Sequence, residues 1–79
     1  MGYRALSAVC GNDNTTIGKD AGLIVTGAGN TLVGATAGDN ITSGDSNIMI
    51  GAVDAASATA DSQLNIGGWI VGSAGQITM

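Results

Sequence analysis

An apolar residue followed by glycine returns at intervals of 16 or 17 residues: Met1-Gly2, Ile17-Gly18, Val33-Gly34, Ile50-Gly51 and Ile66-Gly67. So short a period leaves no room for a conventional globular core. Units of this size bury their apolar positions by stacking on their neighbours along one direction. Other columns keep the register. Asn14, Asn30, Asn47 and Gln63 stand four residues before the glycine. Val9, Val25, Ile41, Ala58 and Ala74 stand seven after it, and Cys10, Thr26, Thr42, Thr59 and Gly75 eight after it. The extra residue between Gly34 and Gly51 is expected in the turn Ser43-Gly44-Asp45-Ser46, where it disturbs no column.

The segments Asn14–Gly18, Asn30–Gly34 and Asn47–Gly51 are rich in β-branched residues and too short for a helix, which predicts strands and an all-β fold. Alternation puts Thr15, Thr31, Ile48 and Leu64 on one face with Ile17, Val33, Ile50 and Ile66. This face is expected to point into the coil, with Val25 and Ile41 completing a thin core. Thr16, Leu32, Met49 and Asn65 take the opposite face, a mixed column expected to meet solvent at one end and to pack against another chain in the middle. Second strands are expected at Leu23-Ile24-Val25 and around Asn40-Ile41-Thr42. The resulting single repeat domain divides into coils at about 1–13, 14–29, 30–46, 47–62 and 63–79. Stacked at roughly 4.8 Å, five coils would span about 24 Å. Gly2, Gly18, Gly34, Gly51 and Gly67 fall where the chain bends or another backbone approaches, so a β-carbon there is expected to be costly. The asparagines in register are expected to form an amide ladder.

Composition limits what such a stack achieves alone. With 14 glycines, no proline or phenylalanine and one residue each of tryptophan and tyrosine, little bulk is available for an interior. Burying each larger aliphatic side chain contributes about 1.5–3 kcal/mol, and short glycine-rich chains are marginal. Association is therefore expected. The net charge of −4 comes from six aspartates against Arg4 and Lys19, which disfavours nucleic-acid binding. No apolar stretch approaches the roughly 20 residues that span a bilayer, so membrane insertion is not expected. Cys10 is the one cysteine and admits no intrachain disulfide.

The segments NTTIGKDAG and NTLVGATAG resemble the N-T-x-I-G-x-x-A-G repeat of trimeric β-roll proteins, found in heads of trimeric autotransporter adhesins and in bacteriophage tail fibres. The closing run NIMIGAVDAASATADSQLNIGGWIVG is similar to the end of the phage version, the type that precedes a C-terminal self-cleaving chaperone domain. The resemblance covers nearly the whole chain. It implies a left-handed parallel β-roll, or solenoid, with coils of about 16 residues, three chains forming a homotrimer whose inner strands pack along a three-fold axis. Neighbouring tail-fibre domains and a host cell-surface receptor are the further partners it implies, with the virion as the location, or the bacterial surface in the adhesin reading. Met1 already occupies the apolar position before Gly2, so the chain is expected to be a fragment of a longer fibre. Trp69, Ile70 and Val71 make the last coil the bulkiest and mark it as a terminal interface.

Nothing in the residues points to chemistry. Asp13, Asp20, Asp39, Asp45, Asp54 and Asp61 fall mostly in predicted turns, where a carboxylate bonds its own backbone, and they lack the dense pattern of calcium-binding repeats. A chain without histidine assembles no catalytic triad. No catalytic, cofactor-binding or metal-binding residue is expected, and Cys10 reads as a small packed side chain. Asn14-Thr15-Thr16 and Asn40-Ile41-Thr42 match the glycosylation acceptor pattern. The expected function is a structural segment of a trimeric tail fibre that positions or forms part of the receptor-binding tip. A head module that itself binds a surface glycan or protein is the alternative, and a lattice-binding or ice-binding solenoid built on the threonine columns the third reading.

Overall fold

The computed structural model describes residues 11–73 and 76–78. Gly2 and Cys10, with most of the expected first coil, lie outside them. The described chain is all-β: six short strands form one sheet, in the order β1-β2-β3-β4-β5-β6, and no helix occurs among the described residues. β1 (Thr15–Ile17), β2 (Thr31–Val33), β3 (Ile48–Ile50) and β4 (Gln63–Ile66) run parallel, each pairing with its equivalent one repeat away. Thr16 lies beside Leu32, Leu32 beside Met49 and Met49 beside Asn65. The glycines after the first two strands permit this close stacking, whereas at Gly51 a β-carbon would find its nearest atom at 3.5 Å and only the φ of +102° favours glycine. At Gly18, whose φ is +127°, a β-carbon would lie 2.5 Å from the carbonyl carbon and oxygen of Gly34.

The chain between the parallel strands folds over one face of the sheet. It brings Ala21, Val25, Ala37, Ile41 and Ala55 onto Leu32 and Met49, with Val53 packed against them. Leu32, Ile41, Met49 and Val25 are the largest apolar side chains with no exposure. The covering segments carry Leu23-Ile24-Val25 and Asn40-Ile41-Thr42, which are turns and bends rather than the second strands the β-branched residues suggested. Backbone bonds such as Val25 N–H to Gly22 O and Ile41 N–H to Gly38 O close them locally, and successive segments join at isolated bonds, such as Thr26 N–H to Thr42 O and Thr42 N–H to Ala58 O, instead of along a strand.

The inward face is the reverse of the one expected. Thr16, Leu32 and Met49 are buried, whereas Ile17, Ile48 and Ile50 are 46%, 40% and 38% exposed, and Val33, Leu64 and Ile66 are half-buried. The asparagine ladder sets this parity. Asn30 and Asn47 are fully buried on the covered side, where their amides reach carbonyls of the covering turns. Two residues along a strand restores the same face, so Leu32 and Met49 follow their asparagines inward and Ile17, Val33, Ile50 and Ile66 turn outward. Val25 and Ile41 sit in the interior, but on the covering turns.

Residues 63–73 and 76–78 also depart from the expected fifth coil. After β4 the chain reverses, and β5 (Ile70–Ser73) and β6 (Gln76–Thr78) continue the sheet as an antiparallel meander. Gly67 and Gly68, with φ of 59° and 78°, supply the left-handed residues of the reversal, and Trp69 N–H closes it on Ile66 O at 2.9 Å.

Candidate functional site

Two features organise the described surface: a polar ladder inside the sheet and an apolar strip outside it. In the ladder, Asn14 Oδ1 accepts from the backbone N–H and the Nδ2 of Asn30, at 2.9 and 3.1 Å. Asn30 Oδ1 accepts from Asn47 N–H at 2.9 Å, and Asn47 Oδ1 from Gln63 N–H at 2.8 Å. Each asparagine Nδ2 also donates across the interior: Asn14 to Gly27 O, Asn30 to Gly44 O and Asn47 to Ala60 O. The expected amide ladder is present, and it bonds backbone as well as side chain. Gln63 ends it differently. Its longer side chain folds back, accepting from Ser57 N–H at 2.8 Å and donating to Ser57 O and Ala60 O.

On the outer face, the register joins Ile17, Val33, Ile50 and Ile66 into one row and Thr15, Thr31, Ile48 and Leu64 into a second. Neither row contains a charge. The aspartates all lie in the connecting segments. Some bond in a way their turns did not suggest: Asp45 accepts from Ala28 N–H and Asp61 from Asp45 N–H, both at 2.8 Å. These carboxylates tie each repeat to the one before it instead of capping their own turn. At a second corner, Asp39 is held above the ordinary carboxyl value. Partial burial is the main cause, followed by a hydrogen bond with the Asp54 side chain and the nearby charges of Asp54 and Asp20.

The threonine column survives only in part. Thr26 Oγ1 donates to Thr42 O and Thr42 Oγ1 to Ala58 O. Thr42 N–H likewise donates to Ala58 O, so Ala58 takes the place expected for Thr59. The step from Thr26 to Thr42 is 16 residues and that from Ala28 to Asp45 is 17, which puts the extra residue inside the expected Ser43–Ser46 stretch. Both glycosylation-type asparagines are engaged, Asn14 in the ladder and Asn40 with the backbone N–H and carbonyl of Ala55.

The three residues expected to form a terminal interface do not share one surface. Trp69 sits in the β4–β5 turn and is 84% exposed. Ile70 pairs with Ile66 and Val71 with Asn65, so they face opposite sides of the sheet. Beneath the meander is an open cavity of about 270 Å³, lined by Met49, Asp54, Gln63, Asn65, Val71 and Ser73 among others. It arises because the covering segments stop at residue 62 while the sheet continues. The amides of Gln63 and Asn65 already have protein partners there. Among the described residues, no group of three or more His, Cys, Asp or Glu could hold a metal ion, and no helix is long and apolar enough to cross a membrane. No family model, curated protein or solved structure matches the chain.

The alanines Ala21, Ala37 and Ala55 were not singled out from the sequence, although they pack onto the sheet. Their signal was the Ala-Gly pairs Ala21-Gly22 and Ala37-Gly38. At both glycines, whose φ is +60° and +59°, an added β-carbon would press on a δ-methyl of Leu32, which places these pairs directly over that side chain.

Proposed function

We propose that this chain is a structural segment of a homotrimeric fibre, a parallel β-roll whose outer sheet face packs against the same face of two other copies. The bacteriophage tail fibre is the setting that the repeat and closing motifs favour. In that setting the segment positions or forms part of the receptor-binding tip.

The observation that carries this reading is the uncharged outer strip of Ile17, Val33, Ile48, Ile50, Leu64 and Ile66, left exposed or half-buried by the single chain. Its shape favours three copies over two. The two rows stand about 7 Å apart, on strands spaced roughly 4.8 Å, so the strip is narrow against the roughly 800 Å² per partner of a standard two-chain interface. Three narrow strips converging on an axis cover one another from both flanks. A carboxylate-bearing chain of net charge −4 associates with itself most easily through a face that has no charge.

Analytical ultracentrifugation tests the reading. A trimer is expected for the native chain and a monomer for Ile50→Asp, because the substitution puts a charge at the convergence of three apolar strips. A native monomer, or a trimer that tolerates Ile50→Asp, would refute it. The adhesin alternative draws on Trp69, an exposed indole suited to stacking on a sugar ring. Binding to host envelope material that is lost on Trp69→Ala would favour it over a pure spacer.

A further inference from the structure

We propose that the C-terminal β5–β6 hairpin is part of the self-association surface, meeting the same hairpin in other copies, and that it fixes the axial register between chains. This rests on the trimeric reading above and adds to it the element that sets the alignment.

The hairpin continues the outer strip although the strands reverse direction. Residues directly opposite in an antiparallel pair point to the same face. Ile70 opposite Ile66 therefore extends the row Ile17, Val33, Ile50 and Ile66, while Gly72 opposite Leu64 and Ile77 opposite Gly72 extend the row that ends in Ile48 and Leu64. The β4–β5 reversal keeps this parity through Gly67, Gly68 and Trp69. Ile77 is 62% exposed, the most exposed aliphatic side chain on the strip. No charged residue occurs from residue 62 to the end of the chain.

The first row cannot define the alignment between copies by itself, and the second row changes character only once, from Thr15 and Thr31 to Ile48 and Leu64. Displacing one chain by a single repeat, about 4.8 Å along the stack, again sets isoleucine or valine against isoleucine or valine in the first row. The hairpin removes that degeneracy because its side of the strip is not repetitive. Gly72 leaves a notch between Leu64 and Ile77, and it must be glycine, since a β-carbon there would collide with the Gln76 carbonyl oxygen. A copy shifted by one repeat would leave Ile77 without its counterparts and would put bulk opposite the notch. The occupant that matches this uneven end, in shape and in lack of charge, is the identical end of another copy.

The test compares substitutions on opposite faces of the hairpin and adds a cross-link. Ile77→Asp is expected to weaken association at least tenfold by ultracentrifugation, whereas Val71→Asp, which faces the cavity side, leaves it within threefold. In a Cys10→Ser background, Ile77→Cys is expected to form an interchain disulfide under mild oxidation. A trimer unaffected by Ile77→Asp, or one in which Cys substituted at position 77 fails to cross-link, would overturn the hairpin assignment while leaving the trimeric reading intact. A monomeric native chain would overturn both.

Discussion

The backbone N–H of Asn47 donates to the side-chain oxygen of Asn30, 17 residues earlier, at 2.9 Å, and both residues are wholly buried. One bond thus joins two repeats and fixes which face of each strand is covered. Among the described residues, no buried polar side-chain atom lacks a partner. The ladder can therefore occupy the interior without the desolvation penalty that unpaired amides would bring.

Removing one rung should accordingly cost more than an ordinary hydrogen bond. Asn30→Ala strands the Asn47 N–H, the Gly44 carbonyl and one lone pair of Asn14 Oδ1 at once. Each buried group left unsatisfied costs about 1–3 kcal/mol. A loss of about 2 kcal/mol or more is expected in urea unfolding. Asn30→Asp should do no better, since it keeps the acceptor for Asn47 but replaces the Nδ2 donor with an oxygen facing two others. A loss under about 0.5 kcal/mol in either variant, the usual range of surface substitutions, would show that the ladder does not hold the repeats together.

Leu32 and Ile17 should separate folding from association. Leu32 has no exposure and lies under Gly22 and Gly38, so Leu32→Ala is expected to cost about 2–5 kcal/mol whatever the protein concentration. Ile17 is 46% exposed on the outer strip. Its truncation to alanine should barely affect the dilute chain, and its cost should grow with concentration as assembly contributes to apparent stability. Chemical denaturation at two widely separated concentrations makes the comparison. A concentration-independent cost for Ile17→Ala would place that side chain inside the fold instead of at its surface.

The repeat, the strands at Thr15–Ile17, Thr31–Val33 and Ile48–Ile50, and the amide ladder were all legible in the sequence, because a period of 16 or 17 residues prints each contact several times. The facing of the strands was not. Alternation gives two faces without saying which is covered, and the row Ile17, Val33, Ile50 and Ile66 is the more uniformly apolar, so it reads as the interior. The deciding clue was Asn30 standing two residues before Leu32: an amide whose bonds reach the covering turns carries Leu32 inward with it. The C-terminal reversal was hidden for another reason. Gly67 keeps the glycine column, and the bulk of Trp69, Ile70 and Val71 reads as an interface, so the second glycine at position 68 is the clue to a hairpin in place of another turn of the repeat.

Asp39 offers a test of the corner where carboxylates crowd. Its proton is held more tightly in the folded chain because burial, the Asp54 hydrogen bond and the charges of Asp54 and Asp20 all disfavour the ionised form. The folded state therefore binds more protons than the unfolded state between the ordinary value of 3.8 and the raised one. Stability should be fullest below 3.8 and should fall as the pH rises through the raised value. Above that window the ionised Asp39 opposes the fold. Asp39→Asn keeps the shape and removes the charge, so it should be more stable than the native chain at neutral pH and should lose this advantage in acid. Thermal unfolding of both proteins from pH 3 to pH 7 makes the comparison. Parallel pH profiles would mean that Asp39 titrates alike in the folded and unfolded chains, and that the three aspartates do not act on one another at this corner.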